Sequence, residues 1–242
     1  RDIARLTAEL QKFGRSHLGC SEVSPLWLSC YIEGCEQRLH ADRPHGPWAF
    51  VLSLSPKIIV FSGGETMMLR PETLNFWNQP PKTGQAFEET EILERVPSRL
   101  GELLIFDPRI PHGVSRVSGT VNPLEGRLVV HGWFTQPSPF VDGPLALSAV
   151  EESLVAFDGV LAKTFAEGLF STGTIAFQIS VSPQGRVGRI KRLASSLVGT
   201  DIALTAEESR RLEKNLNSHF KKWKFPKSRR GSLLTLPLTL GR

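Results

Sequence analysis

The spacing of apolar positions changes character along the chain. "DIARLTAELQKFG" carries Ile3, Leu6, Leu10 and Phe13 on one helical face, and Gly14 ends the run. "PLWLSCYIEG", "WAFVLSLS", "KIIVFSGG", "GELLIFD" and "GRLVVHGWF" are short, β-branched or aromatic, and bounded by Pro or Gly, so each predicts a strand. Residues 70–97, "RPETLNFWNQPPKTGQAFEETEILERVP", lose that periodicity and predict a long loop, for which an active-site lid is one natural use. After the Pro-rich linker "TQPSPFVDGPLA" the pattern turns helical in "SAVEESLVAFDGVLAKTFAEG". A hairpin follows, with Ile175, Phe177, Ile179 and Val181 alternating before a Pro-Gln-Gly turn. "TAEESRRLEKNLNSHF" opens on a Thr205/Glu208 capping box and predicts a helix, and "SLLTLPLTL" a last strand. The expected architecture is a mainly β domain with an N-terminal helix over residues 1–140, then a small α/β (αββαβ) domain over 141–242.

Composition adds little to this picture, but charge does. The 242 residues are 40% hydrophobic and 22% charged, as in an ordinary soluble globular protein. No run approaches the 18 or so apolar residues of a membrane span. No signal-peptide pattern opens the chain, which starts at Arg1, so its native N-terminus is left open. Cys20, Cys30 and Cys35 form neither a disulfide framework nor a zinc pattern, so free thiols in a reducing cytoplasm are expected. From Ser171 to Arg242 the chain carries +10, and the remainder −5, which supports two domains.

Candidate chemistry begins at "RLHADRPHG", where His40 and Asp42 stand two apart. Chance alone supplies roughly 0.15 such pairs in a chain of this composition, too many for the pair to carry weight by itself. On a strand both side chains point to one side and can share an ion. "ELLIFDPRIPHGV" offers a third ligand, His112, just beyond an apolar strand. Two imidazoles and one carboxylate leave three positions of an octahedral metal open, a pattern of non-haem Fe(II) oxygenases. A 2-oxo acid and dioxygen can fill them. Arg127, on the next strand, has the planar fork to hold the far carboxylate of such an acid.

These residues belong to an ordered set: His40-x-Asp42, "FSGGET" from Phe61 to Thr66, "GELLIFDPRIPHGV", and Arg127 six residues before Trp133. The set resembles the 2-oxoglutarate/Fe(II)-dependent oxygenases of the prolyl 4-hydroxylase-like family, over roughly Leu26 to Phe134. The resemblance implies a double-stranded β-helix, or jelly roll, in which His40, Asp42 and His112 bind Fe(II). It implies that Arg127 binds 2-oxoglutarate, with Tyr31 hydrogen-bonding the same co-substrate. The implied reaction consumes O2, with ascorbate as a possible reductant, releases succinate and CO2, and hydroxylates a peptidyl or free amino-acid side chain or a small molecule. Gln37 departs from the pattern, standing where an aromatic is frequent, and the loop "VSGTVNPLEG" is longer than in many relatives. Two alternatives remain open: a non-catalytic jelly-roll binding or sensing module, and a cupin-like metal enzyme.

Other features take plainer readings. His45 is expected as a loop residue rather than a fourth ligand, His131 as a packing residue, and Trp48 and Trp77 as aromatic core. "KKWKFPKSRR", with its interleaved aromatics, reads as a solvated basic face rather than a nucleic-acid site. Residues 173–240, with "GTIAFQISVSPQGRVGRI", "SSL" and "WKFP", resemble TonB-type C-terminal domains. That resemblance implies a docking module for a protein partner.

Overall fold

The computed structural model describes residues 2–42, 45–58, 60–70, 73, 89–166, 171–199 and 205–241. In chain order the elements are α1 (Asp2–Phe13), β1 (Cys20–Val23), β2 (Trp27–Tyr31), β3 (Gln37–His40), β4 (Trp48–Ser53), β5 (Thr66–Leu69), α2 (Glu89–Ile92), β6 (Leu93–Val96), β7 (Leu103–Phe106), β8 (His112–Val114) and β9 (Arg127–Pro137). They continue with β10 (Phe140–Asp142), α3 (Leu147–Ala166), β11 (Ser171–Val181), β12 (Val187–Ser195), β13 (Val198–Gly199), α4 (Thr205–Phe220) and β14 (Ser232–Leu240). The chain is mainly β. It divides into two compact units: Val23–Thr135, and a second that joins Arg1–Glu22 to Gln136–Arg242.

Among the described residues, two antiparallel sheets build the Val23–Thr135 unit, an arrangement compatible with a β-sandwich or jelly roll. In one, β9 lies between β2 and β4, and β4 pairs with β7. In the other the order is β3-β8-β5-β6. Alternation sets the faces: Arg127, Val129, His131 and Trp133 of β9 share one side of the strand, and all four line a cavity. The strand expected in "KIIVFSGG" does not form among the described residues of that stretch. There Ser62 makes one isolated bridge to Ser118. A β-branched run becomes a strand where a face is available to bury it, and Ile58 and Val60 are left exposed. Gly63 and Gly64 both have positive φ, 73° and 76°, and turn the chain so that the strand begins at Thr66.

The end of the expected loop over 70–97 is ordered as α2 and β6, which pairs with β5. Trp77 and most of the proposed lid lie outside the described residues.

In the second unit the sheet order is β10-β14-β11-β12, with β13 pairing the start of β11. β10 sits inside the stretch expected as a linker. Ile175, Phe177 and Ile179 from β11, Leu234 and Leu236 from β14, Phe157 from α3, and Leu212, Leu216 and Phe220 from α4 form one buried cluster. Residues 1–22, expected with the first domain, group here with the second. The turn Gly14–Leu18 after α1 lies against β12 and β14. A Cβ on Gly19 would sit 2.7 Å from Pro237, so that approach tolerates glycine alone. All three cysteines are free thiols, and burial pushes that of Cys20 up to about 12. Among the described residues no helix is long and apolar enough to cross a membrane.

Candidate metal centre

His40 and His112 come together because β3 and β8 pair antiparallel with these two residues directly opposite. Residues facing each other on adjacent strands present their side chains on the same side, a few ångströms apart. Gly113 makes the approach possible: a Cβ there would lie 2.4 Å from the carbonyl oxygen of Gln37. Asp42 lies just past the end of β3 and not within it, held by its backbone N–H donating to the Pro108 carbonyl at 2.9 Å. One ligand atom from each of His40, Asp42 and His112 falls within 4.8 Å of the others.

Hydrogen bonding fixes which atoms face inward. His40 Nδ1 donates to the carbonyl of Arg38 and His112 Nδ1 to that of Ile110, both at 2.9 Å. A carbonyl only accepts, so each neutral ring keeps its lone pair on Nε2. These two Nε2 atoms stand 3.5 Å from Asp42 Oδ1 and Oδ2 respectively, beyond good hydrogen-bonding distance. Burial pushes the His112 imidazole below its usual range. The Ile110 contact and Asp42 oppose that shift, and His40 adds to it. Three lone-pair-bearing atoms converging in this way repel one another until a cation joins them. Two neutral imidazoles with a carboxylate, each imidazole oriented through its other nitrogen, fit a divalent ion such as Fe(II).

Trp133 extends the support around this set. Its indole N–H donates to Asp42 Oδ2 at 3.1 Å, and its ring stacks on His45 with centroids 4.4 Å apart. In the sequence Trp133 served only as a landmark after Arg127. Replacing Trp133 with phenylalanine keeps most of the ring and removes that donor. On the scale of supporting contacts around metal ligands, Trp133→Phe is expected to weaken metal affinity roughly 10- to 100-fold. Calorimetric titration with Mn(II) or Co(II) measures the loss.

Arg127 is the other defining residue. It is only 2% exposed, yet it forms no ion pair among the described residues. Nη2 donates to Thr66 Oγ1 at 3.0 Å, the guanidinium carbon lies 4.9 Å from the centre of the Tyr31 ring, and Nε has no hydrogen-bond partner among the described residues. Burial pushes its titration down from the usual arginine range, partly offset by Tyr31 and Glu65. The turn at Gly63 and Gly64 accounts for Thr66: a Cβ on Gly64 would press to 3.1 Å from Arg127 Cδ, so the glycines let the chain pass close and deliver the hydroxyl.

The three candidate ligands, Arg127 and Tyr31 line one cavity of about 130 Å³, open on one side. By this measure about 10–15 Å³ holds one water, so the space suits a small organic acid. Burial raises the Tyr31 hydroxyl, while Arg127 pulls it down and Cys35 raises it further. His131, expected to pack, also lines the cavity, with Nε2 2.9 Å from Ser29 Oγ. Burial and Arg127 hold its imidazole below the usual range, against the pull of Asp42. His45 is exposed and stays outside the ligand set, and Trp48 is buried, as expected.

No family model matches the chain, and no curated protein does. Among solved structures, it is similar to a prolyl-4-hydroxylase from Pseudomonas putida, with 22% sequence identity and a TM-score of 0.36. The match covers 55% of this chain and 62% of that one, less than two thirds of its length.

Proposed function

We propose that this chain is an Fe(II)- and 2-oxoglutarate-dependent oxygenase of jelly-roll fold that hydroxylates an amino-acid side chain or a small molecule. One observation carries the reading: a buried guanidinium without a counter-ion among the described residues opens onto the same small cavity as a His-Asp-His donor set. Burying an unpaired charge is costly, and a dicarboxylic co-substrate reaching from the metal ligands to Arg127 relieves that cost.

His40, Asp42 and His112 would hold the ion, which when bound supplies the redox chemistry that couples O2 to 2-oxoglutarate. Arg127 binds the far carboxylate, with Thr66 fixing one arm of the fork and Tyr31 packing against its face. Tyr31 offers its hydroxyl to the same acid. The walls formed by Phe106 and Val129 keep the reacting end out of bulk water. The balance is one 2-oxoglutarate, one O2 and one C–H bond giving succinate, CO2 and one C–OH. The basic C-terminal part, by its TonB-type resemblance, serves as a docking module for a protein partner.

The test is succinate release by the chain with Fe(II), 2-oxoglutarate, O2 and ascorbate, over a panel of peptides and free amino acids. A product heavier by one oxygen is expected from the true substrate. Mn(II) and 2-oxoglutarate together are also expected to raise the melting temperature. At ligand concentrations near 100 times Kd the linkage is worth about 2.7 kcal/mol. A metal-loaded protein that binds no 2-oxoglutarate would remove this reading.

A further inference from the structure

Gln37 opens β3 and lines the cavity, standing between two residues of the site. The Tyr31 hydroxyl donates to its Oε1 at 3.1 Å, and its Nε2 lies 3.3 Å from His40 Nε2. The direction of the second contact follows from His40 itself. Nδ1 carries the ring proton to the Arg38 carbonyl, so Nε2 can only accept, and the Gln37 amide N–H must donate to it. The reverse amide orientation would set an oxygen lone pair against the imidazole lone pair. His40 therefore orients the amide, and the Tyr31 hydroxyl donates to the oxygen left on its other side. At 3.3 Å, and open to solvent, the contact with His40 is long and exchanges at little cost.

The lone pair that Gln37 holds is the one His40 turns toward Asp42 and His112. A metal ion and the amide N–H cannot share it. Once the ion takes it, the amide donor is left free in the cavity beside the ligands. We propose that Gln37 binds the co-substrate: metal loading transfers its amide N–H from His40 to an oxygen at the keto-acid end of 2-oxoglutarate. Arg127 holds the opposite end. The proposal rests on the oxygenase reading and adds to it one residue of the co-substrate site. It also gives a role to the residue that stands where relatives of the resembled family frequently carry an aromatic.

The sign of the effects makes the proposal testable by equilibrium binding, without turnover. Calorimetry would follow Mn(II) binding to the whole chain, then 2-oxoglutarate and 2-oxobutyrate binding to the Mn(II)-loaded chain. 2-Oxobutyrate keeps the keto-acid end and lacks the far carboxylate. Gln37→Leu removes the donor that competes for His40, so Mn(II) should bind as tightly as to the parent chain or more tightly. Both 2-oxo acids should bind roughly tenfold more weakly, the loss of about one hydrogen bond. Arg127→Met should weaken 2-oxoglutarate alone. Gln37→Glu keeps an acceptor for Tyr31 but sets a charge against the acid, and should lose more 2-oxo acid affinity than Gln37→Leu.

A Gln37→Leu chain that binds 2-oxoglutarate within twofold of the parent overturns the proposal and leaves the oxygenase reading standing. Weakened Mn(II) binding in that variant overturns it too, since it marks Gln37 as a structural prop. A parent chain that binds Mn(II) but neither acid removes both readings together.

Discussion

Replacing Asp42 with alanine is expected to abolish Fe(II)-dependent succinate release, to below about one part in a thousand of the parent rate. The carboxylate is the only anionic member of the donor set and lies 3.5 Å from the inward nitrogens of both imidazoles. Without it, two neutral rings remain, and the Trp133 N–H loses its acceptor. An unsatisfied donor costs on the order of 1–3 kcal/mol when buried, so alanine alone confounds ligand loss with destabilisation. Asp42→Asn separates the two. Asparagine keeps an acceptor for Trp133 and the side-chain shape, but gives up the charge. Its melting temperature without metal should stay close to that of the parent chain, while the rise on adding Mn(II) should disappear. Thermal denaturation with and without Mn(II), beside a succinate assay, measures both. Full turnover by Asp42→Ala would show that Asp42 does not hold the metal.

Arg127→Met should give the opposite combination, lost co-substrate binding with no loss of stability. A carboxylate gripped by a guanidinium makes charge-assisted contacts worth about 1.5–3 kcal/mol each, so losing two predicts at least a hundredfold rise in the 2-oxoglutarate requirement. The requirement for Fe(II) should change little, since Arg127 is not one of the ligands. Without co-substrate, however, the guanidinium is a buried charge with one N–H unsatisfied among the described residues. Exchanging such a group for a flexible apolar side chain of similar length is often neutral or stabilising. The melting temperature of the ligand-free variant should equal or exceed that of the parent. A fall of several degrees with unchanged co-substrate affinity would mark Arg127 as a structural residue.

The parts of this site that lie in short sequence patterns could be read without coordinates. His40 and Asp42 share a side because they are two apart, although the strand carrying them ends at His40. Arg127 lies on a clear apolar strand, and His112 follows another. What escaped is set by contacts between distant residues. Thr66 reaches Arg127 from 61 positions away, and Trp133 reaches Asp42 from 91 away. No periodicity encodes such pairs. The false strand at "KIIVFSGG" shows the same limit: apolar content is local, whereas the surface that would bury it is not. Gln37 was visible as a departure from a pattern, but its contacts with Tyr31 and His40 were not. The grouping of α1 with the C-terminal residues was equally hidden, because its apolar stripe says that it packs but not on what.

That grouping bears on how the protein can be cut. Residues 1–22 and 136–242 belong to one unit, and Val23–Thr135 is inserted between these two pieces, as a guest within a host. A fragment stopped at residue 140 would keep the first 22 residues but remove β12 and β14, against which the turn after α1 lies, and Pro237, against which Gly19 sits. The natural excision is therefore double-ended, near residues 22 and 136. The host, rejoined by a short bridge across the gap, is the counterpart to express beside it.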